Sequence, residues 1–202
     1  MINLEHTLSK REAKKIQSKK TIIQSAIVLF AQKGLKDTSI ADIMQASNLG
    51  IGTFYNYFQS KDDLLSSLLI KLAMDIRQHY LESLNQDKKQ AEILEGLVLY
   101  TATLLDQNRF ILPLFMRAVD KSALAIKPSA SIKKPLPFKD IFDEIIHTGQ
   151  DNGEFRNDIP AEIITEMFHS LFQSASFSSL PIKYQDNIRY KLNLILSGII
   201  VK

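Results

Sequence analysis

No cysteine occurs in this 202-residue chain. A disulfide framework, a thiolate metal site and a cysteine nucleophile are therefore excluded, and the composition suits a reducing compartment, with the cytoplasm as the expected location. Long apolar runs are also missing. No segment approaches the ~18 uninterrupted apolar residues that a membrane span needs, and the first residues, MINLEHTLSKREAKK, contain no apolar stretch of the kind a signal peptide requires. Neither export nor membrane insertion is expected. Walker, HExxH and GxSxG patterns do not occur, so none of these signatures points to an enzyme, a metal or a cofactor.

What is present is an ordinary globular composition, 45% hydrophobic and 23% charged, with a modest formal charge of +3 that is unevenly spread. Residues 1–64 hold nine Lys or Arg against six Asp or Glu, whereas residues 65–202 hold sixteen of each. Within the first third, KREAKKIQSKK (Lys10 to Lys20) carries six bases and one acid. Such a run can meet an acidic partner; a solvated, frayed terminus is its ordinary reading.

Apolar spacings of i, i+3 and i+4 predominate over alternation, which predicts helices throughout and no strand. A first helix is expected from about Lys19 to Lys33, ended by Gly34, and a second, SIADIMQAS, is capped by Thr38 or Ser39. A tight turn at Ser47-Asn48-Leu49 then leads to a third helix from Ile51 to about Phe58, with Gly50 as N-cap. Asn tolerates the positive φ that a sharp reversal demands. Three short helices with this turn between the second and third have the layout of a helix-turn-helix unit.

The third helix divides by face at about 100° per residue. Phe54 and Phe58 fall on one side, while Ile51, Thr53, Tyr55 and Asn56 spread over the other. An exposed face without bulky charge can enter a major groove closely. Gly52 gives backbone access, the Ile51 and Thr53 methyls can meet thymine methyls, and Tyr55 and Asn56 can hydrogen-bond to phosphates or base edges.

The segment SIADIMQASNLGIGTFYNYFQSKDDLL, Ser39 to Leu65, resembles the DNA-binding signature of the TetR family of bacterial transcriptional regulators. Gly52, Thr53, Phe54, Tyr55, Phe58, Ser60, Lys61, Asp62 and Leu65 fall on its pattern, with Gly34, Thr38 and Ser39 fitting upstream. The resemblance implies that Thr38 or Ser39 holds a phosphate, that Ile51, Gly52 and Thr53 face base edges, and that Tyr55, Asn56 and Lys61 grip the DNA backbone. Three positions depart from the pattern: Asn48 replaces the usual turn glycine, Gly50 the usual Ser or Thr cap, and Ile51 a frequently polar residue.

A long helix is expected from Ser60 to about Leu84, capped by Ser60 and Asp63, followed by about five more: Lys88–Asp106, Arg109 to about Ala123, Phe138–Gln150, Ala161 to about Ser178 and Tyr184–Val201. IKPSASIKKPLP, between the second and third of these, reads as a loop. An effector pocket is expected among His79, Leu97, Tyr100, Leu104, Phe110, Phe115, Met116 and Phe142, against the plainer reading of these residues as core. The last helix is apolar on two sides, which implies burial on two sides and a twofold dimer built by the last two helices. Phe168, Phe172, Ile188, Leu192, Ile195 and Ile199 are the candidate interface residues, with Tyr190, Leu194 and Val201 on the reverse of the final helix.

A rival of another class rests on Glu144 to His147 and Glu166 to His169, two Glu-x-x-His elements of the kind found in di-iron bundles. By helical wheel both face solvent rather than the core. The expectation is thus an all-α regulator without enzymatic activity, metal or cofactor, with a DNA-binding domain over residues 1–62 and an effector-binding and dimerisation domain over 63–202. It would bind a palindromic operator as a homodimer and be released by a small, largely apolar effector. Control by a protein partner, or by no effector, is the alternative.

Overall fold

The structure is a computed structural model and describes residues 9–112, 115 and 138–201. Met116, Pro113, Leu114 and the Pro/Ser/Lys-rich segment lie outside the described residues. Among those described are eight α-helices and one 3₁₀ turn: α1 Lys10–Lys33, α2 Ile40–Ala46, α3 Ile51–Tyr55, α4 Lys61–Leu84, α5 Gln90–Gln107, the turn Arg109–Ile111, α6 Phe138–Asp151, α7 Ala161–Ser176 and α8 Tyr184–Ile199. The only β feature described is an isolated bridge between Phe155 and Ile200. Two compact units result, residues 1–68 and 69–202.

In the first unit, α1 begins nine residues before the expected Lys19. The cause is local: Ser9 Oγ accepts from the Glu12 N–H at 3.2 Å, and Glu12 Oε2 accepts from the Ser9 N–H at 2.9 Å. This capping box satisfies two of the N–H groups that a helix start otherwise leaves bare. The basic run is therefore helical, not frayed. Ile22, Ala26 and Phe30 carry the buried face, and Gly34 ends the helix at φ +83°, donating its N–H to the Phe30 carbonyl. At that φ a side chain would be strained.

α2 is capped in the same way by Ser39 and Asp42. Asn48 then takes φ +53°, and the N–H groups of Asn48 and Leu49 close the turn on the Gln45 and Met44 carbonyls. α3 is shorter than expected because the chain leaves α-helical geometry after Tyr55; turn hydrogen bonds from Tyr57 and Phe58 to the Phe54 carbonyl complete it. At the start of α4, Ser60 Oγ accepts from Asp63 N–H, while the Asp63 carboxylate accepts from the N–H of Gln59.

In the second unit α5 packs against α6 and α8, and α7 against α6 and α8. Phe142 stacks on Phe168 with ring centres 6.0 Å apart, and Phe115 meets Phe172 edge-on at 5.9 Å. The chain after α6 pins the end of α8: Arg156 N–H donates to Ile199 O and Val201 N–H to Glu154 O. The buried Phe155 ring lies over Gly149, where any side chain would collide with it.

Candidate nucleic-acid interface

The turn-and-cap geometry around α3 sorts its side chains as the wheel implies. Phe54 and Phe58 are buried with ring centres 5.5 Å apart, while Ile51 is 54% and Tyr55 59% exposed. Gly52 and Asn56 are exposed and Thr53 half-buried. A Cβ built on Gly52 or Gly50 would meet nothing within 4 Å, so the backbone there is open to an approaching surface. Ile51 and Tyr55 lie uncovered beside this open backbone.

Two expected phosphate contacts have other work. Thr38 is 0% exposed, and its hydroxyl donates to the Gly34 carbonyl at 2.8 Å, with Leu29 O at 3.3 Å. Thr38 thus ties the α1–α2 loop to the end of α1 and is corrected from a DNA contact to a core residue. Lys61 Nζ donates to Leu35 O at 2.6 Å and to Thr38 O at 2.9 Å. Two of its three N–H donors are thus spent on loop carbonyls, so Lys61 brackets the loop and keeps one donor for the DNA backbone contact expected of it.

Ser39 stays exposed at the start of α2, but its Oγ donates to Asp42 Oδ2 at 2.7 Å and accepts from Asp42 N–H. The Ser39 N–H and hydroxyl hold the Asp42 carboxyl below its ordinary value. A phosphate at this position would have to compete with that carboxylate for the hydroxyl proton.

Sequence inspection missed one feature of this surface. Asn56 and Tyr57 share a cleft of about 630 Å³ with Arg11, Glu12, Lys14, Lys15 and Ser18 of α1. The Ser-x-x-Glu spacing at Ser9 to Glu12 was the available signal for a helix there.

In the second unit the residues expected around an effector, so far as they are described, divide between packed core and half-buried positions. Leu97, Phe115 and Phe142 are packed core. His79 stacks on Tyr100 at 4.1 Å, both half-buried, and Leu104 and Phe110 are likewise half-buried. A cavity of about 240 Å³ lies elsewhere, at the C-terminal ends of α5 and α7 and the start of α8, bounded by Leu105, Arg109, Ala175, Tyr184 and Asn187 among others. Wheel positions show which side chains face inward, but a void depends on how neighbouring helices diverge.

The interface candidates need correction as well. Phe168, Phe172, Ile188, Leu192 and Ile199 are buried within the single chain, and Ile195 is half-buried. They are the core that joins α7 and α8 to the rest of the unit. Within these two helices the uncovered large apolar residues are Ile163 and Met167 on α7 and Tyr190 and Leu194 on α8, the last two 64% and 74% exposed.

The Glu-x-x-His elements do not converge. Among the described residues no group of three or more His, Asp or Glu is placed to hold a metal. The Glu144 carboxylate lies near the Tyr80 phenol, His147 faces Glu162 at 3.9 Å, and Glu166 is exposed. His169, expected in solvent, is half-buried with its ring edge-on to Phe142 at 5.5 Å.

Residues 22–68 match the family model of bacterial regulatory proteins of the tetR type. Over that segment the chain is similar to the TetR family of bacterial regulators. Beyond the matched segment, the HTH-type transcriptional repressor KstR2 of Rhodococcus jostii is 23% identical over 142 residues, 70% of each chain. The ketosteroid transcriptional regulator KstR2 of Mycobacterium tuberculosis superposes with a TM-score of 0.66 at 18% identity, covering 91% of this chain and 95% of that one. Thermus thermophilus FadR, a TetR-family repressor crystallised with lauroyl-CoA, gives 0.62 at 22% identity, over 91% and 96%. At these identities the solved structures establish a shared all-α TetR fold. The relatives are transcriptional regulators, not enzymes, and among the described residues no helix is long and apolar enough to cross a membrane.

Proposed function

We propose that this chain is a TetR-type repressor that binds a palindromic operator as a homodimer and leaves it when a small, largely apolar effector occupies residues 69–202. The observation that carries the DNA reading is the split of α3, in which buried Phe54 and Phe58 hold Ile51, Gly52, Thr53 and Tyr55 outward. Ile51 and Thr53 offer methyls to thymine, and Tyr55 and Asn56 offer polar atoms to phosphates or base edges. Replacing Tyr55 by Ala should lower affinity about tenfold for all duplexes; unchanged gel-shift affinity would remove it from the interface.

Dimerisation is supported by the uncovered faces of α7 and α8. Ile163 and Met167 are one helical turn apart, as are Tyr190 and Leu194, and neither pair is covered by its own chain. A twofold partner would bring the four helices together as a bundle, and a dimer supplies the pair of reading helices that a palindromic operator requires.

The effector belongs in the second unit on this reading. The lauroyl-CoA bound by the FadR relative makes an acyl thioester the first compound class to test. Release follows if effector favours dimers whose α3 spacing does not fit the operator, with α4, whose residues fall in both units, as the lever. The effector must bind the two forms with different affinity.

A further inference from the structure

The cleft beside α3 is built rather than incidental. Arg11, Lys14, Lys15 and Ser18 recur at i, i+3, i+4 and i+7, so they share one face of α1. Two turns on, that helix buries Ile22, Ala26 and Phe30 in the domain core, which fixes the direction of the whole rod. The Lys19 ammonium lies 5.5 Å from the centre of the Phe58 ring, a further tie between the extension and the helix-turn-helix. At the far end the Ser9–Glu12 capping box keeps the first turn wound.

The electrostatics of the cleft are one-sided. Arg11, Lys14 and Lys15 are exposed and take part in none of the ion pairs formed among the described residues. The one acid on the wall, Glu12, is committed to the Ser9 N–H, and that contact and the serine hydroxyl hold its carboxyl below the ordinary value. Opposite stand Asn56 and Tyr57, at the C-terminal end of α3. Every residue that lines the cleft carries a charged or hydrogen-bonding group, three of them cationic, which suits an anionic partner. Its neighbour α3 determines what will pass through it.

We propose that the first turns of α1 form a second DNA-contacting element, in which Arg11, Lys14 and Lys15 hold the sugar–phosphate backbone flanking the groove that α3 enters. This rests on the DNA-binding reading of α3 and adds to it a preformed grip that reads no bases. From Lys10 to Lys19 the extension is about 15 Å long at 1.5 Å per residue, long enough to follow several phosphates.

The test uses the full chain with Arg11, Lys14 and Lys15 all changed to Gln, a strong helix former without charge, and titrates duplex DNA at several salt concentrations. The slope of log Kobs against log salt should flatten by about 0.9 for each base removed, with a roughly hundredfold loss of affinity per protomer near 0.15 M salt. The sequences enriched by binding-site selection should not change, and hydroxyl-radical protection should shrink only at the flanks. A second variant, Gln17→Pro, keeps every charge but breaks the helix between extension and body, and should show the same loss of flanking protection. Equal slopes and footprints for wild type and the triple variant would overturn the proposal, as would full flanking protection in Gln17→Pro, which would mean a charged tail suffices. If wild-type protein binds no duplex at all, it is the reading of α3 that fails.

Discussion

The ammonium of Lys61, the first residue of α4, donates to the carbonyl oxygen of Leu35 across a separation of 26 residues. The same nitrogen reaches the Thr38 carbonyl, so one side chain closes the loop between α1 and α2 from the far side of the reading helix. The exposed start of α2 at Ser39 and the start of α4 are thereby held in one frame.

Replacement of Lys61 by Met should therefore destabilise the DNA-binding unit even without DNA. Two charge-assisted hydrogen bonds at a half-buried site are together worth about 1–2 kcal/mol. Urea unfolding followed by tyrosine fluorescence should show the midpoint fall, and loss of DNA affinity should accompany it. An unchanged midpoint with weakened DNA binding would leave Lys61 as a direct phosphate contact alone.

The uncovered face of the last two helices gives a contrast between neighbours. Leu194→Asp should leave helicity intact, since that side chain is 74% exposed, yet weaken self-association by at least roughly a hundredfold in sedimentation. Leu192→Asp should instead unfold the unit, because Leu192 is fully buried in its own chain. A wild-type chain that sediments as a monomer, or a Leu194→Asp variant that still dimerises fully, would contradict the proposed interface.

Two phenols predict an alkaline limit to stability. Burial pushes Tyr184 up to about 12, and burial with the nearby Glu144 carboxylate does the same for Tyr80. A group whose pKa is raised on folding supports the fold fully below its unfolded value, near 10 for tyrosine, and that support is lost as pH rises through the folded value. Tm should be flat up to about pH 9 and fall steeply between about pH 10 and 12. Tyr184→Phe should flatten the fall, and a Tm independent of pH across that window would show that neither phenol is held neutral by folding.

What could be read beforehand follows the range of the interactions. Gly34, Ser39, Asn48 and the split between Phe54 and Ile51 are set within about one helical turn, and their chemistry is visible in the local string. The α1 start was equally local, yet six bases in the run Lys10–Lys20 suggested a solvated tail and hid the Ser9–Glu12 box. Thr38 and Lys61 could not be placed, because their partners are carbonyls of other segments. For α8, a wheel shows two apolar faces but not which meets its own chain. Leu192 and Leu194 are both leucines, and only the packing of α5 and α7 against the helix distinguishes them.

The central claim, that α3 reads DNA, is tested most directly by selecting binding sites from random duplexes with wild-type protein and Thr53→Ala in parallel. Wild type should enrich an inverted repeat with half-sites about one helical turn apart, and Thr53→Ala should relax preference at one symmetric pair of positions. Enrichment of no motif by wild type, or an identical motif from both proteins, would contradict base readout through this face.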